Sequence, residues 1–309
     1  MEEEIILINM VDYSETCLIF VRETIKTEMK RYKCMAKVLL TMMLLATWLG
    51  GCGLVSNEDE SPYKHIFREE EAHLTDDASS PFCDFSIDFS YLNEEGDSIA
   101  VLINRAVQGE FLGEDYASLT PEAAVDSFTN VYLRDYKQET GELYQADLAR
   151  NGAETDVPGW YNRTYSLVSF VEEGRGGMVN VSANWFIDMG GAHPNQFSRW
   201  MNFDFETGKL LGMQDVFNAS AQADIERILL DKLIREVNEA HPEETIQTLE
   251  DLQAKGFLQM TNMYIPHNFL LSKKGVLFLF NRYDIAPYSE GEIVLEVPYE
   301  EIGPYLKRI

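Results

Sequence analysis

One tetrapeptide, Leu49-Gly50-Gly51-Cys52, limits what this chain can fold into more than any other feature. Met29, Lys30, Arg31, Lys33 and Lys37 precede it, followed by an apolar run from Val38 to Leu49. A charged start, an apolar core and small residues at the cut are the anatomy of a secretory signal, and a cysteine directly after the cut accepts a lipid. Cys52 is thus the expected lipidation site. The apolar run is shorter than the roughly 20 residues that a membrane span needs. The expectation is an exported protein held in the cell envelope by its N-terminal lipid, at the outer membrane or cell surface, with the periplasmic side also open. Residues 1–28 lack the character of a signal and carry Glu2, Glu3 and Glu4, so they read as an extension ahead of a true start at Met29. Residues 29–51 are then the signal peptide, and neither segment belongs to the fold.

Cleavage before Cys52 leaves 309 less 51, or 258, residues, enough for one large or two modest domains. Of 52 acids and 25 bases, 7 and 6 lie in residues 1–51; the mature part keeps 45 acids and 19 bases, a formal net charge of −26. Such a surface repels phosphate backbones and argues against nucleic acid as a partner. It suits a cationic partner, or serves solubility alone. Cys17 and Cys34 fall in the discarded segment and Cys52 takes the lipid, which leaves Cys83. One thiol makes no internal disulfide, so the core alone must hold the fold.

From Gly53 to Pro81 the chain is polar and acidic, with Glu69-Glu70-Glu71 and Asp76-Asp77, and residues 52–80 read as a flexible tether. Phe82 to Leu92 alternates around Phe85, Ile87, Phe89 and Tyr91 and predicts a strand. Helical spacing follows over Asp97–Leu112, through Ile99, Leu102, Ile103 and Val107. Thr120-Pro121-Glu122 opens a second helix, running to about Gln138. Tyr161–Val171, Met178–Asp188 and Arg199–Phe205 read as strands, Ala221–Ala240 and Thr248–Lys255 as helices. Short strands at 268–271, 275–280 and 293–297 precede a closing helix at Pro298–Ile302. Helices grouped beside runs of strands predict an α+β fold, as two packed subdomains with antiparallel sheets.

Three stretches in order carry a family resemblance. The first is Gly190-Gly191-Ala192-His193-Pro194-Asn195, with Asn202-Phe203-Asp204 and Asp215-Val216-Phe217 after it. The second is Asn268-Phe269-Leu270-Leu271 with Gly275 to Phe280, and the third runs from Tyr283 through Ala286-Pro287-Tyr288-Ser289-Glu290-Gly291 to Val297-Pro298-Tyr299. This resembles the RsiV-like extracytoplasmic domain over residues 200–309, preceded by a PdaC-type domain over 81–199. Acidic residues after the lipidated cysteine resemble a surface-export signal of Bacteroides-like bacteria. The resemblance implies a binding or sensing domain. Some relatives bind lysozyme as the outer part of membrane-bound anti-sigma factors, a role that needs a membrane-crossing segment this chain does not show.

The candidate contact residues are Gly191, His193, Asn195, Tyr283, Tyr288 and Glu290. The glycines, Pro194 and Asn195 force a tight turn whose amides are free to meet a ligand. His193 beside it is a proton carrier, a metal ligand or an anchor for the loop. Tyr283 to Gly291 is turn-forming and offers Tyr283, Tyr288 and Glu290 as a binding edge. Trp160, Trp185 and Trp200 are either core or a stacking surface. His65, His73, His241 and His267 are scattered, without metal-ligand spacing. No nucleophile elbow, phosphate loop or dinucleotide fingerprint is present, so no catalytic residue, metal or cofactor is expected. The leading expectation is a non-catalytic, lipid-anchored module that binds a protein, such as a lysozyme-like one, or an envelope polymer. The alternatives are a peptidoglycan- or glycan-acting enzyme using His193 with a nearby carboxylate, and a structural lipoprotein.

Overall fold

The computed structural model describes residues 61–152 and 159–307. Cys52, the signal peptide and the extension ahead of it lie outside the described residues. None of the described helices is long and apolar enough to cross a membrane.

The fold is α+β, with two sheets and two hydrophobic cores. The first sheet has five strands in the order β1 (Tyr63–His73), β2 (Phe82–Leu92), β3 (Arg163–Glu173), β4 (Val179–Asp188) and β5 (Asn195–Phe203). Alternation decides its buried face: Phe85, Ile87, Phe89 and Tyr91 of β2, Tyr165 and Leu167 of β3 and Val181, Ala183 and Trp185 of β4 all point into one core. Two helices, with the turn that follows them, cover that face. The first, α1 (Ser98–Phe111), starts where Asp97 Oδ1 accepts the Ile99 and Ala100 amides. In α2 (Pro121–Asp135), Thr120 caps the Ala123 amide and Pro121 fills the first turn, where its missing N–H costs nothing. Helical structure does not stop near Gln138. It continues through a π turn at Tyr136–Thr140 into α3 (Gly141–Asn151), because the fully buried Tyr136 anchors it by donating its hydroxyl to the Tyr161 carbonyl at 3.0 Å.

Two expectations are corrected here. The first sheet is mixed: β2 and β3 run parallel, the other pairs antiparallel. A parallel pair needs a crossover connection, and the helical excursion α1–α3 supplies it. The flexible tether also ends earlier than residue 80, since Tyr63–His73 forms edge strand β1. Its inward positions are Ile66, Arg68, Glu70 and Ala72, of which Ile66 and Ala72 are buried and Arg68 pairs with Asp126 of α2 at 2.7 Å. Charges on both faces hide the period of this strand, and such charges also discourage edge-to-edge pairing.

The second layer comprises α4 (Met213–Val216), α5 (Gln222–Ala240), α6 (Leu249–Ala254), β6 (Phe269–Leu271), β7 (Gly275–Phe280), β8 (Ile293–Pro298) and α7 (Tyr299–Ile302). Its sheet is antiparallel in the order β6-β7-β8, and Ile225, Ile228, Leu229 and Leu233 of α5 pack on it.

Asparagine side chains join the two layers where strand pairing stops. Asn202 of β5 donates to the Phe269 carbonyl and accepts the Leu271 amide, both at 2.8 Å, as a neighbouring strand would. Asn268 accepts the Trp200 amide at 2.6 Å and donates to the Ser198 carbonyl at 2.7 Å. Asn281 accepts the Ser198 amide at 2.7 Å. The division expected at residues 199/200 therefore falls inside β5, the strand on which the second layer is seated.

Candidate functional site

The two loops singled out in the sequence meet at this junction. The β4–β5 loop turns at Gly190, whose φ of 71° lies in the left-handed region. A Cβ there would fall 2.1 Å from the Trp160 Cα, so both torsion and space require glycine. Asp188 Oδ1 closes the turn by accepting the Gly190 amide at 2.8 Å. The β7–β8 loop is held at its start by Asn281, whose side chain grips Ser198 while its own amide donates to Asp284 Oδ2 at 2.7 Å.

Between these anchors lies a stack of rings. The His193 imidazole lies on the Tyr288 ring, with centroids 4.8 Å apart and planes 19° apart. Tyr283 tilts against Tyr288 at 5.5 Å. The Arg282 guanidinium sits over the Tyr288 ring at 4.6 Å, and its Nη1 donates to the Tyr288 carbonyl at 2.9 Å. The Tyr288 hydroxyl donates to the Pro194 carbonyl at 3.2 Å and ties the loops together. Tyr283 is the one non-glycine at positive φ among the described residues, 69°, and it is 63 % exposed.

His193, Tyr283 and Tyr288 are thus brought together. Gly191 and Glu290 are exposed on the same loops and Asn195 is exposed at the start of β5, and among the described residues none has a side-chain hydrogen bond or ring contact with the stack; Glu290 accepts a hydrogen bond from its neighbour Ser289 at 3.2 Å. Sequence reasoning missed Arg282, a lone base beside a Tyr-rich turn, and missed the exposure of Trp160 (57 %) beside Gly190. Trp185 is core, stacked on Phe197 at 4.8 Å. Among the described residues the His193 ring makes no hydrogen bond or ion pair with a carboxylate, and no group of three or more metal-ligating side chains occurs. Cys83 is fully buried, and burial pushes its thiol up to about 11, away from the thiolate chemistry of a nucleophile.

Comparison with known proteins places this geometry in company of unknown activity. No protein of curated function matches the sequence. A crystal structure of a DUF3298 family member from Bacteroides fragilis NCTC 9343 is similar, with a TM-score of 0.71 and 25% identity over 80% of this chain and 93% of that one. A DUF3298 family protein from Pseudomonas aeruginosa PAO1 matches at 18% identity and a TM-score of 0.48, over 81% of this chain and 96% of that one. Residues 214–300, which hold α5, α6 and the strands β6–β8, match the family model described as "Protein of unknown function (DUF3298)".

Proposed function

We propose that the chain is a lipid-anchored extracytoplasmic binding module whose contact patch is the ring stack of His193, Tyr283 and Tyr288. The observation that supports this reading is a cluster of rings pre-set on a rigid junction and left open to solvent. Tyrosines ordered in advance lose little conformational freedom on binding, and aromatic and arginine side chains dominate the energetics of interfaces. The resemblance to RsiV-like domains makes a cationic, lysozyme-like protein the first partner to test, and the mature part's net charge of −26 favours its approach. A glycan-acting enzyme built on His193 would need a carboxylate in reach of the imidazole, and the ring's partner is Tyr288 instead.

The test is lysozyme binding to the purified protein at low ionic strength, with Tyr288→Ala beside the parent. The expected loss on substitution is about 2 kcal/mol, or roughly 30-fold in affinity. Lysozyme that fails to bind the parent at low salt removes it as partner, and equal binding by both proteins removes the patch.

A further inference from the structure

A cleft of about 370 Å³ opens beside the ring stack, within the size range of small-ligand sites. Its floor is the outer face of the first sheet, with Val168 of β3, Asn184 and Phe186 of β4 and Gln196 of β5; Arg282 and Glu292 of the β7–β8 loop line it as well. Two properties of these residues bear on a ligand.

The first is an uncompensated cation. Acids outnumber bases 52 to 25 in this chain, yet Arg282 pairs with no carboxylate among the described residues. One Nη1 N–H is committed to the Tyr288 carbonyl and the buried Nε has no acceptor, so the second Nη1 N–H and the two on Nη2 are the donors left for a ligand. A guanidinium in this position is suited to a carboxylate, which supplies charge and hydrogen bonds together. The second is a set of hydrogen-bonding groups with spare capacity. The Gln196 amide has no hydrogen-bond partner among the described residues. The Asn184 side-chain amide meets Ser198 Oγ at 2.6 Å and has hydrogen-bonding capacity beyond that contact. Glu292 meets the same hydroxyl through Oε1 at 2.7 Å and keeps Oε2 as an acceptor. Planar amides, a carboxylate acceptor and the Phe186 ring together match the hydroxyl-rich rim and apolar face of a sugar.

We infer that this cleft binds a carboxylated saccharide, its acid on Arg282 and its hydroxyls on Asn184, Gln196 and Glu292. An extended peptide ending in a carboxylate fits less well. It would pair with a strand edge, and the amide and carbonyl of Ser198 on the β5 edge are already taken by Asn281 and Asn268. The acidic surface elsewhere is screened beyond about 8 Å at physiological ionic strength, and Glu292 is the carboxylate within the cleft, so the ligand's acid must sit at Arg282 with a hydroxyl facing Glu292.

The experiment is calorimetric titration of the full protein with trigalacturonate and with its methyl ester, which removes the charge and keeps the sugar. Lysozyme takes no part, so the outcome is independent of the docking proposed above. The acid is expected to bind at least about tenfold more tightly than the ester, and Arg282→Gln to bring the two together. Gln196→Ala disturbs no hydrogen bond of the fold and is expected to weaken acid and ester alike, which keeps the test open if Arg282→Gln melts early. The inference is overturned if neither saccharide binds the parent, if the ester binds as well as the acid, or if an N-acetylated dipeptide with a free carboxylate binds more tightly than trigalacturonate.

Discussion

Two arginine–tyrosine pairs sit at the junction of the layers, and they are used differently. Arg175, in the β3–β4 turn, lies over the Tyr299 ring at 3.9 Å, while the Tyr299 hydroxyl donates to the Ser272 carbonyl at 2.8 Å. That pair spans the layers, and a Lys273–Glu173 ion pair at 2.9 Å closes the same seam. Arg282 and Tyr288 instead belong to one loop of the second layer, and Tyr288 alone of the two reaches across, by its hydroxyl to Pro194 and by its ring to His193. The first pair fastens the layers. The second orders a loop and carries two further rings, His193 and Tyr283, on exposed backbone. Rings beyond what the junction needs are what support the proposed reading of the second pair as a contact surface.

The largest effect is expected where both pairs depend on the same support. Asn202→Ala leaves the Phe269 carbonyl and the Leu271 amide without their partners in a buried seam. The expected loss is about 2–4 kcal/mol in denaturant unfolding. A loss below 0.5 kcal/mol, a rough floor for a hydrogen bond that matters, would mean that the two cores and not the asparagines hold the layers together.

Exchanging the two tyrosines for alanine separates fastening from presentation. Tyr299→Ala is expected to cost about 2–3 kcal/mol of stability and to leave lysozyme binding unchanged. Tyr288→Ala is expected to cost about 1 kcal/mol of stability and most of the binding. The reverse pattern would assign the patch to the other seam. Alkaline titration sharpens the same contrast. Burial pushes the Tyr299 phenol up, so its contribution is complete below the ordinary tyrosine value near 10 and declines as pH rises through the raised folded value. Tyr299→Phe should remove that part of the alkaline decline in stability.

Much of the fold was legible because each signal was local. The alternation of Phe85, Ile87, Phe89 and Tyr91 fixes a half-buried strand, and Thr120-Pro121 fixes a helix start. Pairing direction was not legible: the same alternation fits a parallel or an antiparallel neighbour, and β3 begins 71 residues after β2 ends at Leu92 and Arg163. Nor was β1, in which Ile66 and Ala72 alone are fully buried hydrophobics. At the site, Gly190–Asn195 and Tyr283–Gly291 each announced a turn by composition. Their meeting depends on Asn281 replacing a strand at Ser198, a tertiary contact that no local pattern encodes. Arg282 went unnoticed for the same reason. A single base gains meaning from what it fails to pair with, and that requires coordinates.

The smallest effect tests whether the exposed half of the comparison is held for use. Tyr283 occupies left-handed backbone, φ 69°, where a bulky side chain is strained and asparagine is tolerated. Its ring is 63 % exposed, so little burial offsets that strain. Tyr283→Asn is therefore expected to raise stability by about 0.5–1 kcal/mol while weakening lysozyme binding several-fold. Gain of stability with loss of binding is the trade expected of a residue kept for a partner. Loss of both would instead make Tyr283 part of the packing that holds Tyr288, and the surface for a partner would then shrink to His193 and the edge of the Tyr288 ring.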